Sequence, residues 1–252
     1  MRNEKLFVFL HQIIKFLFKF IVIMKTKIIS LFLCVGLLVA CNNTQKGAAI
    51  GAGGGAVLGG IIGAIAGNTA IGAAVGGAVG AGTGAIIGHK MDKAKKEAEQ
   101  VQNAQVETVT DNNGLEAVKV TFDSGILFAT GKSALSATAK TSLAQFASVL
   151  KNNADCDVAI QGYTDNQGWK NSTAEQSQQK NLSLSQDRAT AVSQYLLSLA
   201  VPASQIKSVQ GFGEANPVAD NSTAAGQAQN RRVEVYMYAS QKMIQEAQSQ
   251  AN

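Results

Sequence analysis

Histidine is scarce in this 252-residue chain, which has one at position 11 and one at position 89. Neither belongs to a motif from which a nucleophile–base pair or a cluster of metal ligands could be built. The sequence therefore predicts a protein that is not an enzyme. It also predicts no metal site and no cofactor.

Cysteine is nearly as scarce, and Cys34, Cys41 and Cys156 are too few for a disulfide framework. The first two lie in or next to an apolar N-terminal run, which leaves Cys156 alone in the later part of the chain. Because an isolated cysteine usually packs as a small apolar residue, we expect Cys156 to be structural rather than reactive.

Acidic side chains are almost absent from residues 1–40, where Glu4 stands against six lysines and arginines. Residues 41–252 hold 16 basic and 16 acidic residues, so the net charge of +5 belongs to the N-terminal stretch. A chain that is neutral beyond its leader carries no basic patch of the kind that binds polyanions. We therefore expect no nucleic-acid partner.

Residues 1–40 have the features of a secretory leader. The lysines that follow Met24 precede an apolar run at 28–40, which ends in a small residue before Cys41. We expect translation to start at Met24, with residues 1–23 resulting from an upstream start codon. An uncleaved transmembrane anchor is the alternative.

The ending Leu-Val-Ala-Cys at residues 38–41 resembles the lipobox of bacterial lipoproteins. That resemblance implies lipidation of the Cys41 thiol and cleavage before it, followed by a lipidated linker at 41–46. Asn42 and Asn43 come next, without an acidic cluster, a pattern similar to that of lipoproteins sorted to the outer membrane. The expected location is thus the outer membrane, with lipid at Cys41 and the soluble domain in the periplasm.

Glycine is concentrated in residues 47–88, which hold 16 of the 25 glycines and no ionisable side chain. The glycines recur every fourth residue and change register once, at Asn68-Thr69. This spacing lines one helix face with glycine and lets a second helix approach closely. Since glycine is a poor helix former in water, we expect a helical hairpin within a bilayer.

The hairpin resembles the glycine-zipper segments of other bacterial envelope lipoproteins. Close packing of such helices would also allow copies of this chain to associate, so a homo-oligomer through the hairpin is a further expectation. A flexible Gly/Ala linker is the alternative. The mixed charges of residues 89–105 indicate a solvated helical spacer. Residues 239–252 read as a short polar helical tail.

Residues 106–238 change to the pattern of an α+β domain. Strands are predicted at 106–110, 117–122, 158–162 and 233–237, with a hairpin turn at 111–114, from alternating apolar residues and turn residues. Helical spacing predicts one helix from Leu135 to Leu150 and another from about Leu184 to Leu199. The predicted fold is a mixed sheet covered on one face by two helices.

Five ordered motifs in this region resemble the C-terminal domain of the OmpA family. They are Ile160–Gly168 (IQGYTDNQG), Leu184–Ala189 (LSQDRA), Gly211–Glu214 (GFGE), Asn216–Asn221 (NPVADN) and Asn230–Glu234 (NRRVE). The resemblance implies a module that binds peptidoglycan. Its ligand would be the diaminopimelate of uncrosslinked stem peptides, which ends in an ammonium and a carboxylate.

By this resemblance Asp165 pairs with the ammonium and Arg188 with the carboxylate. Thr164, Asn181 and the Asn230-Arg231 pair are implied to add hydrogen bonds. The motif Ser185-Gln186-Asp187-Arg188 further predicts Ser185 as a helix N-cap, which would place Arg188 in the first turn beside free backbone amides.

Two features depart from the family pattern. The spacing from Asp165 to Arg188 is longer than usual, with residues 169–180 as the apparent insertion. Ala129 stands where many relatives place an Asp or Asn beside the ligand, so that contact must be missing or come from elsewhere. Which of Arg231 and Arg232 faces the ligand stays open.

The sequence as a whole predicts a lipid-anchored tether between the outer membrane and the cell wall. The alternative is an oligomeric assembly of glycine hairpins in the membrane, positioned by the wall-binding domain.

Overall fold

The structure is a computed structural model that describes residues 81–110 and 116–251. The predicted leader, the lipidation site at Cys41 and the hairpin as far as residue 80 lie outside these residues. Among the described residues, no helix has both the length and the apolar character needed to cross a membrane.

The described residues form five strands and six helices. Strands are β1 (Ala104–Thr110), β2 (Glu116–Asp123), β3 (Cys156–Gly162), β4 (Ile206–Gly211) and β5 (Arg232–Ala239). Helices in the described residues are α1 (Ala81–Ala98), α2 (Ser124–Leu127), α3 (Ala137–Asn152), α4 (Ala174–Ser198), α5 (Ala224–Asn230) and α6 (Gln241–Ala251). The five strands form one sheet in the order β1-β2-β5-β3-β4.

The sheet is mixed, as the sequence predicts. β3 and β4 are parallel and are joined through α4, whereas the other neighbouring strands are antiparallel. β1 and β2 pair with Val106 opposite Val120, which confirms the predicted hairpin strands. The turn itself, at residues 111–115, lies outside the described residues.

The main core lies between one face of the sheet and the helices. Alternate residues of β5 enter this core, namely Val233, Val235 and Met237. Helices α3 and α4 supply Phe146, Leu150 and Leu196, among other residues. The opposite face carries a smaller apolar cluster that includes Tyr236 and Tyr238. The predicted one-sided cover is confirmed.

The prediction of a solvated spacer at 89–105 is wrong in its packing. Helix α1 begins within the predicted bilayer hairpin, whose residues 81–88 pack on the domain instead, and it continues to Ala98. On one face of α1, the side chains of Ile87, Met91, Ala94 and Ala98 are fully buried in the main core. Two of the four are alanines, whose small side chains make the apolar stripe easy to miss in a charged segment. Helix α1 is thus an integral layer of the domain.

The C-terminal tail also differs from its prediction. Residues 241–251 form α6, and Met243, Ile244 and Ala247 on it are buried against α1 and the sheet. A polar sequence with apolar residues at this spacing forms an amphipathic helix, so the tail closes the core rather than trailing from it. The helical cover of the sheet therefore has α1 and α6 in addition to the two predicted helices.

Candidate functional site

Helix α4 carries two of the predicted site residues and begins earlier than the sequence indicated. Its N-cap is Thr173, whose hydroxyl accepts from the amide of Gln176 while the Gln176 side chain accepts from the Thr173 amide. The apparent insertion at 169–180 is therefore a turn followed by the first two turns of the helix. Its glutamines, Glu175 and Lys180 are good helix formers.

The predicted N-cap at Ser185 is consequently wrong, and Arg188 lies in the middle of α4. Ser185 instead donates to the carbonyl of Leu182 and accepts from the amide of Gly213, at 2.7 and 2.8 Å. These bonds fasten α4 to the segment after β4. Arg188 cannot act together with free amides of a helix N-terminus, so its role rests on its own guanidinium.

Two glycines allow α4 to lie directly on the ends of β3 and β4. A Cβ at Gly162 would come within 2.1 Å of the Ser185 carbonyl oxygen, and one at Gly211 within 2.2 Å of the Gln186 nitrogen. No side chain fits at either position. This close approach fixes the position of α4 on the sheet. It thereby fixes the distance of Arg188, one turn further along α4, from the loop that follows β3.

Asp165 lies on that loop and is 6% exposed. One carboxylate oxygen accepts from the amide of Gln167 at 3.2 Å, and the other forms an ion pair with Arg231. The partner of Asp165 in this structure is therefore Arg231. Arg188 lines the same cavity, and the negative charge of Asp165 raises the pKa of its guanidinium.

Arg188 is a buried cation, with 3% of its surface exposed. Its Nε donates to the carbonyl of Lys132 at 3.0 Å, and its guanidinium lies 5.1 Å from the ring centroid of Phe128. Burial lowers the pKa of Arg188, the nearby charge of Arg231 lowers it further, and Asp165 opposes both effects. Among the described residues Arg188 has no salt bridge, so the cavity contains an uncompensated positive charge.

Arg231 and Arg232, between which the sequence left the choice open, lie in different surroundings. Arg231 lines the cavity and is about one-third exposed. Arg232 is buried, donates from Nε to Glu234 at 2.7 Å and lies 3.9 Å from the ring centroid of Tyr163. Because β5 begins at Arg232, strand alternation places it on the same sheet face as Glu234, away from the helices.

The other predicted site residues divide into two groups. Thr164 and Asn181 line the cavity. Asn230 is fully buried outside the lining, where its side chain accepts from the amides of Val218 and Ala219 and donates to Ala219 and Asn221. With its amide fully engaged, Asn230 holds the loop before α5 and is not positioned to contact a ligand.

The cavity has a volume of about 550 Å³, within the range of small-molecule sites. Ser124 and Thr164 also line it, and their buried hydroxyls have no hydrogen-bond partner within residues 81–110 and 116–251. Because buried polar groups normally have partners, these two hydroxyls are expected to bond to a ligand or to water.

Sequence reasoning missed Ser124 and Trp169, which both line the cavity. Ser124 directly follows β2 and opens the short α2, a position typical of site residues, but it belongs to none of the five motifs. Trp169 was assigned to an apparent insertion. Ala129, by contrast, is exposed and outside the lining, so the Ser124 hydroxyl is a candidate for the contact that Ala129 cannot make.

Within residues 81–110 and 116–251, no group of histidine, cysteine and carboxylate side chains is arranged to hold a metal ion. The cavity is lined by two guanidiniums, the ammonium of Lys170, one carboxylate, hydroxyls, side-chain amides and aromatic rings. Such a set binds charged and hydrogen-bonding groups.

Comparison with known proteins agrees with this description. Over 116 residues the chain is 41% identical to the probable lipoprotein YiaD of Escherichia coli (strain K12), covering 46% of each protein. Over 93 residues it is 42% identical to the peptidoglycan-binding protein ArfA of Mycobacterium tuberculosis (strain H37Rv), covering 37% of this chain and 26% of that protein. The chain thus spans less than half the length of these curated relatives.

A solved structure shares the fold. The chain superposes on a putative MotB-like protein from Desulfovibrio vulgaris with a TM-score of 0.52 and 22% identity, over 63% of this chain and 96% of that one. At this level of identity the likeness concerns the α+β fold alone.

Two family models match separate parts of the sequence. The OmpA family matches from α2 to the residue before β5, a span that contains all the cavity residues named above except Ser124. The YMGG-like Gly-zipper matches the glycine-rich segment and extends into α1. Residues 127–231 are therefore similar to the OmpA family, and residues 24–92 are similar to the YMGG-like Gly-zipper family.

Proposed function

We propose that this protein binds peptidoglycan non-covalently, through the diaminopimelate of stem peptides that are not cross-linked. The observation that carries the proposal is the guanidinium of Arg188, buried in the cavity wall without a salt bridge among the described residues. A buried charge without a counter-ion is costly, and a ligand carboxylate would offset that cost.

The other polar groups of the cavity complement the ammonium of a ligand that ends in both an ammonium and a carboxylate. Asp165 offers a carboxylate to an ammonium, and Arg231, about one-third exposed, can share that carboxylate or release it. Three cations, Lys170, Arg188 and Arg231, against the single anion Asp165 leave an excess of positive charge, which suits a ligand that also bears carboxylates. The free hydroxyls of Ser124 and Thr164 add hydrogen-bonding capacity. A relative described as peptidoglycan-binding supports the same ligand class.

A pull-down with purified peptidoglycan tests this function. We expect Asp165→Ala and Arg188→Ala to lower binding by about 30-fold or more, since truncating one member of a buried charged contact costs about 2–5 kcal/mol. Lys140→Ala is the matched control, because it removes an exposed cation on α3 whose side chain does not line the cavity. Undiminished binding by both site variants contradicts the proposal.

The membrane end of the tether is proposed from the N-terminal residues. Cys41 would carry the lipid, the glycine-rich residues from 47 to about 80 would form the glycine-zipper hairpin, and the outer membrane would hold both, with the domain in the periplasm. The probable lipoprotein among the relatives and the Gly-zipper match support this arrangement. Intact-mass measurement of the membrane-extracted protein tests it, and an unmodified Cys41 contradicts it.

A second candidate function is an oligomeric membrane assembly in which the glycine hairpin is the active part. The regular glycine spacing in residues 47–88 favours close helix packing and supports this candidate. Cross-linking in membranes distinguishes the two functions, because a simple tether needs only monomers. In either case the proposal includes no catalytic step, so prolonged incubation should release no soluble fragment from peptidoglycan.

A further inference from the structure

Trp169 forms a wall of the cavity that the site motifs do not include. It stands in the segment that lengthens the spacing between Asp165 and Arg188, and its side chain lines the same cavity as both residues. The residue is partly exposed, so the indole lies at the rim rather than in the floor. If the charged end of a ligand lies deep in the cavity, a ring at the rim contacts the part of the ligand next to that end.

The indole is held from several sides. Its Nε1 donates to Asn181 Oδ1 at 2.8 Å, and its backbone amide donates to Ser177 Oγ at 3.0 Å. Lys180 Nζ lies 5.8 Å from the ring centroid. Contacts at the backbone, the pyrrole nitrogen and the ring leave the side chain little freedom, so it is preorganised before any ligand enters.

The opposite side of the ring system meets Gly131. A Cβ there would lie 3.7 Å from Cη2 and 4.0 Å from Cζ3 of the indole, and the φ angle of +65° at Gly131 favours glycine. Leu184 and Phe128 also line the cavity. The passage from the rim to Arg188 is therefore bordered by apolar surface, although the groups at its end are charged.

We propose that Trp169 is a specificity-determining residue, which packs against the hydrocarbon arm carrying the zwitterionic end of the ligand. The inference depends on the proposed function, because it assigns the arm of the same stem-peptide residue to this wall. The cavity then selects ligands by the length of the apolar arm as well as by the charges at its tip. Methylene groups against an indole remove apolar surface from water, which favours binding without any charge.

The test uses three synthetic tripeptides, L-Ala-γ-D-Glu-X, titrated calorimetrically into the purified full-length protein. X is 2,6-diaminopimelate, the homologue shorter by one methylene or the homologue longer by one methylene, so the charged groups are identical. We expect the wild-type protein to bind the shorter peptide about fourfold more weakly, the effect of one buried methylene. Equal affinity for all three peptides would overturn the inference.

Two variants separate the wall from other roles of the indole. Trp169→Ala should lower the affinity for the diaminopimelate peptide about tenfold and reduce discrimination among the three peptides to less than twofold. Trp169→Phe keeps an aromatic wall but removes the hydrogen bond to Asn181, and it should stay within about threefold of the wild type. If Trp169→Phe is as weak as Trp169→Ala, the residue acts by holding Asn181 and the inference fails.

Two further measurements test whether the peptide reaches the indole and whether the indole binds sugar instead. Trp169 is the only tryptophan of the chain, so the emission of the wild-type protein should change on saturation with the diaminopimelate peptide, and that of Arg188→Ala should not change at the same peptide concentration. Glycan strands stripped of stem peptides should bind Trp169→Ala and wild type equally; weaker binding by the variant would assign the indole to sugar and overturn the inference. If the wild type binds none of the peptides, the proposed function itself fails.

Discussion

Arg231 and Arg232 are adjacent in the chain, yet their side chains have different partners. Arg231 pairs with Asp165 in the cavity, whereas Arg232 is buried with Glu234 on the sheet face away from the helices. The boundary between α5 and β5 falls between the two residues, so strand alternation applies to the second and not to the first. One arginine is available to a ligand, and the other stabilises the fold.

Removing each arginine should therefore have a different effect. Arg232→Ala leaves the buried Glu234 with a weaker set of partners, and we expect a loss of roughly 3–5 kcal/mol in the free energy of unfolding, measured in urea. Arg231→Ala should change stability by less than about 1 kcal/mol, because the side chain is partly exposed. It should weaken peptidoglycan binding instead. Equal destabilisation by the two substitutions contradicts this division.

Met91 tests whether α1 belongs to the core. The side chain is fully buried in α1, so Met91→Ala should lower the free energy of unfolding by about 2–5 kcal/mol. Lys93→Ala, two residues along the same helix, removes an exposed side chain and should change it by less than about 0.5 kcal/mol. Urea unfolding of both variants gives the comparison. Similar stability of the two would mean that α1 is a solvated spacer after all.

Gly211 and Gly84 form a matched pair of glycine substitutions. A Cβ at Gly211 would meet the backbone of α4, so Gly211→Ala should cost about 3 kcal/mol or more and should weaken peptidoglycan binding by displacing the helix that carries Arg188. A Cβ at Gly84 would have nothing within 4 Å. Gly84→Ala in α1 should raise stability by up to about 1 kcal/mol. A neutral Gly211→Ala would show that α4 can move away from the sheet at little cost.

Cys156 should be unreactive in the folded protein. Burial raises the pKa of its thiol from 9.0 to about 12, so at pH 8 the native protein should resist alkylation that proceeds in urea. A folded-state pKa above the unfolded value means that the unfolded chain loses its proton first as pH rises. Between about pH 9 and 12 this group should therefore favour unfolding increasingly. Mass spectrometry of the peptide containing Cys156 measures the alkylation, and rapid native labelling contradicts the assignment.

Four of the five strands could be predicted because apolar residues recur at alternate positions in them. Strand β4 was not predicted, since its apolar residues Ile206 and Val209 lie three positions apart. The same alternation could have resolved the two arginines: with Val233, Val235 and Met237 facing the helices, Arg232 must share a face with Glu234. The start of α4 could not be read as easily, because Ser185 is a favourable N-cap residue. The true cap, Thr173 with Gln176, lies in a segment that looks like a polar loop.

The site was less predictable than the sheet. The motifs predicted Asp165 and Arg188 as site residues and left the choice between Arg231 and Arg232 open. The pairing of Asp165 with Arg231 depends on how α4, α5 and the loop after β3 meet in space. That Ser124 and Trp169 line the cavity likewise depends on how distant segments meet in space, and no local sequence pattern shows it. The buried stripe of α1 was hidden because alanine contributes little hydropathy, although it lets helix and sheet approach closely.

Helix α1 is the segment through which the glycine-rich residues connect to the domain, and α6 from the other end of the chain packs against it. Tension pulling toward the N-terminus would enter at Ala81 and act first on the contact between these two helices. The cavity is built instead from α2, α4, α5 and the loop after β3. The contact between α1 and α6 and the proposed binding surface therefore belong to different elements, so tension from the N-terminal side would act on α1 before it reached the geometry around Arg188.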